Sequence, residues 1–256
     1  MKIAIIGCGN MGGAIARGLA AGSDFELAVS NRSQGKLDAL KAEYPAVAVS
    51  TSNREVAKDA DVVVFAVKPW LIDAVAADLL PVLGNSRIMV SIVAGVDFAH
   101  LEEIFPKGAA IFRVIPNTAI AIGESMTVIA SHNANPQDSE LVMGMFSKLG
   151  KAMMIEERAM GAATALGSCG TAFALRYIRA AMESGIEMGL YPDQAKEIVA
   201  QTVKGAADLL MAGNSHPEAE IDKVTTPGGI TIKGLNRMEE CGFTAAVIAA
   251  HKASLK

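Results

Sequence analysis

The chain begins with Ile3-Ala-Ile-Ile-Gly7-Cys8-Gly9-Asn10-Met11-Gly12, and this stretch decides the fold of its first half. An apolar run leads into a G-x-G-x-x-G turn, and a helical pattern follows. Gly7 permits a tight turn, Gly9 lets the backbone approach a pyrophosphate, and Gly12 lets the helix pack closely on the strand. The order strand, glycine turn, helix therefore predicts a dinucleotide-binding site with phosphates at the helix N-terminus. A glycine turn without a ligand is the alternative.

Six further short runs rich in β-branched residues alternate with helical patterns up to about residue 155. The runs are 26–30, 47–50, 62–67, 88–93, 110–114 and 126–130. Nearly continuous apolar runs such as 62–67 indicate strands that are buried on both faces, as helical crossovers would bury them. The predicted fold class is α/β, with an N-terminal doubly wound Rossmann domain over residues 1–155.

After about residue 156 the strand patterns stop, and helical patterns cover 157–190, 192–212, 231–240 and 243–254. Residues 156–256 are therefore predicted to form an all-helical C-terminal domain. Segments 172–182 and 245–250 are apolar almost all round, and helices of this kind need partners. We expect a homo-oligomer that forms through this domain. A central helix buried within one subunit is the alternative.

Composition excludes several classes of partner. The 256 residues are 51% hydrophobic and 20% charged, with a net charge of −4 and no basic block. Nucleic acid and anionic membrane surfaces are therefore not expected as partners. No uninterrupted apolar run is long enough for a membrane span, and no secretory signal opens the chain, so a cytoplasmic location is expected.

Cys8, Cys169 and Cys241 are too far apart for a disulfide framework or a zinc site, and no metal is expected.

The end of the second predicted strand indicates which dinucleotide binds. About twenty residues after the glycines, an NAD site places Asp or Glu on the ribose 2′-hydroxyl. This chain has Ser30-Asn31-Arg32-Ser33 there. Because no carboxylate repels a 2′-phosphate and Arg32 can pair with it, the sequence favours NADPH, with NADH as the weaker alternative. Arg32 as a solvated turn residue is the other interpretation.

Two more strand ends carry candidate cofactor residues. Ala66-Val67-Lys68-Pro69 follows one buried strand and Val93-Ala94-Gly95 follows the next. Ligands of open α/β sheets bind beyond the carboxyl ends of the strands, so these loops are predicted to flank the nicotinamide and its ribose. An ordinary surface role for Lys68 is the alternative.

A donor-rich segment in the second half is the candidate substrate site. Thr226-Pro227-Gly228-Gly229-Ile230-Thr231 precedes a helical pattern, and backbone N–H groups at a helix start favour a carboxylate. The alternative is a plain loop in which Thr231 caps the helix. No histidine stands in a convincing position for a general base, and no Tyr-x-x-x-Lys pair is present. These features favour reduction of a protonated C=N bond, whose carbon is already electrophilic and for which positioning supplies most of the catalysis.

In these motifs the chain resembles the pyrroline-5-carboxylate reductase family along nearly its whole length. The most specific block comprises Gln201-Thr-Val-Lys-Gly-Ala-Ala207, His216-Pro217 and Asp222-Lys-Val-Thr-Thr-Pro-Gly-Gly-Ile-Thr231. The blocks Gly7 to Met11, Ala66 to Pro69, Val93 to Gly95 and Arg113-Val-Ile-Pro-Asn-Thr118 match in the same order. The resemblance implies NADPH-dependent reduction of 1-pyrroline-5-carboxylate to L-proline. It also implies intertwined dimers through the helical domain, often assembled into decamers.

The resemblance further implies roles for individual residues. Thr231, close to the imine nitrogen in the family, and Lys68 are the candidate catalytic residues. The implied cofactor contacts are Gly7, Cys8, Gly9, Asn10, Met11, Gly12, Asn31, Arg32, Asn53, Ala66, Val67, Lys68, Pro69 and Ala94. The implied substrate contacts are Glu157, Gly228, Gly229, Ile230 and Thr231.

The chain departs from the family pattern near the expected pocket. Ala119 and Thr171 stand where members of the family usually carry proline. Two other functions stay open. One is reduction of another cyclic imine carboxylate, and the other is NADPH sensing without catalysis.

Overall fold

The first half of the chain forms an eight-stranded sheet. The computed structural model describes residues 1–22, 24–83, 88–213 and 215–255, and all elements below lie within them. The strands are β1 Lys2–Ile6, β2 Glu26–Ser30, β3 Ala48–Ser50, β4 Val62–Phe65, β5 Ile88–Ser91, β6 Ala110–Ile115, β7 Ser125–His132 and β8 Gly150–Met154. Their spatial order is β3-β2-β1-β4-β5-β6-β7-β8.

The first six strands run parallel, β7 is antiparallel to β6, and β8 is parallel to β7. The order β3-β2-β1-β4-β5-β6 is that of the doubly wound dinucleotide-binding fold. The direction of winding reverses between β1 and β4, and folds of this kind bind their ligands beyond the carboxyl ends of the strands at that point. The predicted doubly wound, mostly parallel sheet is confirmed.

Helices cover both faces of this sheet. They are α1 Asn10–Ala21, α2 Gln34–Glu43, α3 Asn53–Ala57, α4 Ile72–Leu79, α5 Phe98–Ile104, α6 Pro136–Ser147 and α7 Met160–Thr164. One apolar layer joins the strands to α1, α2 and α6, with Ile5, Val64 and Phe112 among its fully buried members. The opposite layer, which includes Phe65 and Met89, joins them to α3, α4 and α5. This two-sided burial explains the continuous apolar runs in the sequence.

The eighth strand was not predicted. Its sequence, Gly-Lys-Ala-Met-Met, has no β-branched residue, and only pairing with β7 makes it a strand. The two compact units divide after Ser168. The predicted boundary after residue 155 lies near the end of β8 instead. The difference arises because a 3-10 turn at Glu157–Ala159 and α7 still pack on the sheet, with Met160 buried in its core.

The second unit, Cys169–Lys256, is helical, as predicted. Its helices are α8 Gly170–Glu187, α9 Pro192–Gly213, α10 Pro217–Lys223, α11 Ile230–Glu240 and α12 Phe243–Ala253. The single helix predicted over 157–190 is wrong. A π-helical turn at Ala165–Cys169 and the earlier 3-10 turn interrupt it, and α10 was not predicted.

This unit has almost no core of its own. Among its described residues only Gly185 and Ala195 are buried, where α8 and α9 cross closely. Large apolar side chains are exposed instead, among them Leu175, Ile198 and Met211. The alternative of a central helix buried within one subunit is therefore wrong for this chain. In the part of the chain that the structure describes, no helix has the length and apolarity needed to span a bilayer.

Candidate functional site

The glycine turn between β1 and α1 has the geometry that its sequence predicts. Gly7 has φ +108°, and a Cβ there would lie 2.5 Å from the Ala66 carbonyl oxygen. A Cβ on Gly12 would lie only 2.0 Å from the Gly7 carbonyl oxygen. Gly9 caps α1 without any side-chain hydrogen bond, so the first backbone N–H groups of the helix have no capping side chain. The turn can therefore present N–H donors and the positive end of a helix to phosphates.

Two asparagines connect the turn to neighbouring strand ends. The Asn31 Oδ1 atom accepts a hydrogen bond from the Cys8 backbone N–H at 3.2 Å, and its Nδ2 donates to the Ser33 carbonyl at 3.0 Å. The Asn53 Oδ1 atom accepts from the Ser30 hydroxyl at 2.8 Å. These contacts place both predicted cofactor residues beside the carboxyl ends of β1 and β2.

Two cationic side chains, Arg32 and Lys68, lie beyond the carboxyl ends of the parallel strands. Both are exposed, and within the described residues neither side chain has a hydrogen bond or ion pair. Arg32 follows β2, where a cofactor 2′-substituent is expected, and Lys68 follows the turn that ends β4. An unpaired guanidinium at this position can accept a phosphate in bidentate fashion.

The two remaining cofactor loops also lie at the carboxyl ends of the strands. Ala66 N–H donates to the Ile6 carbonyl at 2.9 Å, which keeps the start of the Ala66-Val67-Lys68-Pro69 segment against β1. Ala94 and Gly95 are exposed beyond β5, and Gly95 has φ +80°. The structure therefore brings the predicted cofactor residues of the first unit to one edge of the sheet.

The Cys8 thiol lies buried in the glycine turn. Cys8 is 4% exposed, and its burial raises the pKa of the thiol, while nearby Arg17 and Lys36 act in the opposite direction. The raised pKa favours the neutral thiol, which does not repel a phosphate at this turn. All three cysteines fall within the described residues, and each is free of a disulfide.

The candidate substrate segment is a turn followed by an uncapped helix. Gly228 has φ +71°, and the Gly229 N–H donates to the Thr226 carbonyl at 2.9 Å. Helix α11 begins at Ile230, its N-cap is Gly229, and no side chain caps it. The interpretation of Thr231 as the cap is therefore wrong, since Thr231 is the second helical residue and is exposed. These residues belong to the second unit.

Glu157 has partners that sequence reasoning did not identify. Its Oε1 atom accepts from Arg113 Nη1 at 2.5 Å and from the Phe98 backbone N–H at 2.8 Å. The Arg113 guanidinium also lies 5.8 Å from the centroid of the Phe98 ring. The sequence contained an indication of this pair, because an arginine within a strand of apolar residues requires a buried or half-buried anion.

The four histidines contact residues outside the candidate cofactor and substrate segments. His100 and His132 pair with Asp73 and Glu102, and the His216 Nδ1 atom accepts from the Glu218 N–H at the start of α10. His251 stacks on Phe173 with ring centroids 4.9 Å apart. Within the described residues, no cluster of histidine, cysteine and acidic side chains is arranged to bind a metal ion.

The fold and the phosphate-binding turn define the first unit as a Rossmann-type dinucleotide-binding domain, followed by a separate helical unit. Residues 157–256 match the family described as pyrroline-5-carboxylate reductase dimerisation, and residues 2–95 match one described as NADP oxidoreductase, coenzyme F420-dependent.

Relatives and solved structures agree with this class. Pyrroline-5-carboxylate reductase 2 of Dictyostelium discoideum is 36% identical over 96% of this chain and 88% of its own length. Pyrroline-5-carboxylate reductase 3 of Rattus norvegicus is 32% identical over 99% and 93%. Pyrroline-5-carboxylate reductase 1 of Dictyostelium is 39% identical, but this chain spans only 47% of its length.

Among solved structures, a pyrroline-5-carboxylate reductase from Coxiella burnetii superimposes with a TM-score of 0.91 at 29% identity, covering 98% of this chain and 95% of that one. The Plasmodium falciparum pyrroline carboxylate reductase with NADP bound gives 0.88 at 29% identity, covering 99% and 95%. The chain belongs to the pyrroline-5-carboxylate reductase family.

Proposed function

We propose that this protein reduces 1-pyrroline-5-carboxylate to L-proline with NADPH. The observation that carries the proposal is the start of α11, where Gly229 leaves the helix uncapped and Thr231 lies exposed in the first turn. A helix start of this kind suits a small carboxylate. The relatives that cover the whole chain are reductases of this substrate by name, and one solved relative contains NADP.

The cofactor residues fit NADPH. The N-terminus of α1 and Gly9 receive the pyrophosphate, and Arg32 pairs with the 2′-phosphate in the absence of a carboxylate at that strand end. Lys68 and Ala94 flank the nicotinamide ribose. When bound, NADPH would supply the hydride, and the loops beyond β4 and β5 would hold its nicotinamide ring.

The substrate residues orient a protonated imine. The N–H groups that follow Gly228 and Gly229 bind the ring carboxylate, and Ile230 and Thr231 contact the ring. The Thr231 hydroxyl forms a hydrogen bond at the imine nitrogen. As the new C–H bond forms at the imine carbon, the C=N π pair becomes the lone pair of the amine, so the positive charge is neutralised. No general base is required in this step.

The helical domain forms the homodimer. Its helices expose Leu175, Ile198, Leu209 and Met211 at 54–67%, although the unit Cys169–Lys256 buries only two of its described residues. A surface of this kind in a stable protein is covered by a partner. Matching of residues 157–256 to a dimerisation family supports a second copy of this chain as that partner. Association of these dimers into a decamer, and a cytoplasmic location, complete the proposal.

The function is tested by NADPH consumption with 1-pyrroline-5-carboxylate, beside parallel reactions with the six-membered cyclic imine and with NADH. We expect turnover to be fastest with the five-membered ring and NADPH. Preferential turnover of the six-membered ring would transfer the assignment to the other cyclic imine. If neither imine is reduced while NADPH still binds, the protein is a cofactor sensor, and Ala119 and Thr171 are the first residues to change to proline.

The dimer is tested by sedimentation equilibrium of two matched variants. Leu175→Glu puts a charge on the exposed apolar face of α8, and we expect it to yield monomers. Leu80→Glu changes an exposed leucine of the first unit, 46% exposed, and should leave assembly unchanged. An oligomer in the Leu175→Glu variant that matches the wild-type protein would contradict the assignment of this face.

A further inference from the structure

Arg113 places a positive charge on a strand face that is otherwise apolar. It is the fourth residue of β6 and lies on the same face of the strand as Ile111 and Ile115, and Ile111 belongs to the core. Its side chain is only 13% exposed. A guanidinium so far removed from water requires an anion, because an unpaired buried charge is strongly destabilising. Glu157 supplies this anion at 2.5 Å, so one oxygen of its carboxylate is already engaged.

The same oxygen is bound to the first residue of α5. Glu157 Oε1 accepts from the Phe98 N–H, one of the backbone donors that a helix start leaves without a partner. The Asp97 carboxylate accepts another, the His100 N–H, at 3.0 Å. The N-terminus of α5 is therefore fixed from two sides, and the Arg113 guanidinium lies against the Phe98 ring.

The start of α5 is also the far end of the loop that carries Ala94. The near end is fixed because Ile92 N–H donates to the Phe65 carbonyl at 3.1 Å, at the end of β4. Between these anchors Ala94 and Gly95 are exposed. A connection this short has little conformational freedom, so the position of Phe98 determines where Ala94 lies.

We propose that Glu157, paired with Arg113, is a positioning residue for the cofactor. It fixes Phe98 and thereby holds the Ala94-Gly95 loop where it receives the nicotinamide ribose of NADPH. This proposal rests on the assignment of that loop as a cofactor contact in the proposed function. It gives Glu157 a different role from the substrate contact implied by the family resemblance.

Two substitutions at Glu157 separate its two bonds. Glu157→Gln keeps an oxygen that can accept from Phe98 N–H but removes the charge that faces Arg113. Glu157→Ala removes both. Because each bond that Glu157 loses leaves Phe98 and the Ala94-Gly95 loop less firmly held, we expect the Kd for NADPH to rise about 10-fold in Glu157→Gln and further in Glu157→Ala.

The matched control is Glu43→Gln. Glu43 forms an ion pair of the same kind with Arg17 at 2.7 Å, and its side chain is 48% exposed against 38% for Glu157. We expect its Kd for NADPH to equal that of the wild-type protein. Arg113→Lys keeps a cation beside Glu157 and should lose less affinity than Glu157→Ala.

The assay is an equilibrium titration with NADPH alone, followed through the fluorescence of Trp70, the chain's single tryptophan, which is 77% exposed just after Pro69. An unchanged Kd in both Glu157 variants, with a raised KM for the imine, would overturn the proposal in favour of substrate contact. Equal losses in Glu157→Gln and Glu157→Ala would overturn the role of Phe98. Because no imine is present, the titration stays informative even if the wild-type protein fails to reduce 1-pyrroline-5-carboxylate, a failure that would refute the proposed function alone.

Discussion

Substitution of Gly12 by alanine tests the geometry of the phosphate-binding turn directly. The new Cβ would lie 2.0 Å from the Gly7 carbonyl oxygen and 2.8 Å from the Ala66 Cβ. Carbon and oxygen atoms in close contact settle near about 3.3–3.6 Å, so the turn must open by more than about 1.3 Å. Because the obstacle is backbone rather than a flexible side chain, the strain should fall at the upper end of overpacking costs, about 3 kcal/mol.

Part of that strain is offset by helix propensity. Alanine is favoured over glycine within a helix by about 1 kcal/mol, which leaves a net loss of about 2 kcal/mol in the free energy of unfolding. For a chain of this size, such a loss lowers Tm by about 4–8 °C. Opening the turn also moves the N–H donors at the start of α1. Loss of two charge-assisted hydrogen bonds would weaken NADPH binding about 100-fold.

Two glycine variants serve as controls. A Cβ on Gly9 meets nothing within 4 Å, and Gly9 has φ −75°, so Gly9→Ala should keep the wild-type Tm. Its methyl group would occupy the approach of the pyrophosphate, so the Kd for NADPH should rise at least about 10-fold. Gly144 lies in α6 with open space around it, and Gly144→Ala should keep the wild-type Kd with an equal or higher Tm.

The measurements are thermal unfolding by circular dichroism and the NADPH titration described above. The turn geometry is refuted if Gly12→Ala keeps both the wild-type Tm and the wild-type Kd. Normal NADPH binding by Gly9→Ala would show that the pyrophosphate does not approach this residue.

Three further predictions concern single side chains. Arg32→Ala should raise the Kd for NADPH at least about 10-fold and leave the Kd for NADH nearly unchanged, since only NADPH carries the 2′-phosphate; equal losses in the two titrations would refute this pairing. Thr231→Ala should lower kcat at least about 10-fold with NADPH binding intact, and Thr231→Ser, which keeps the hydroxyl, should retain most of the rate. Wild-type turnover of the alanine variant would remove Thr231 from the mechanism. The hydrogen bond with Asp73 raises the pKa of His100, so the pair stabilises the fold below the ordinary pKa of histidine and loses this effect as the pH rises through the folded-state pKa. His100→Gln should therefore lower the free energy of unfolding more at about pH 5.5 than at about pH 8.5. The difference should stay below about 1 kcal/mol because both side chains are exposed, and equal losses at the two pH values would contradict the assignment.

The sequence alone determined the features that depend on local pattern. The strand, the G-x-G-x-x-G turn and the helix follow one another within the first twenty-one residues, so their residues specify them directly. The buried parallel strands were predictable because burial on both faces requires continuous apolar runs. The placement of Asn31, Lys68 and Ala94 at one edge of the sheet was predictable, because parallel strands present their carboxyl ends at the same edge.

Only the tertiary structure decided the features that depend on distant residues. β8 is a strand because β7 offers it hydrogen-bonding partners, although its own residues do not favour one. Glu157 meets Arg113 and Phe98 across separations of 44 and 59 residues, and no local pattern encodes such contacts. The lack of a core in the helical unit follows only from the tertiary structure. An apolar helix has the same sequence pattern whether its partner belongs to its own chain or to a second copy.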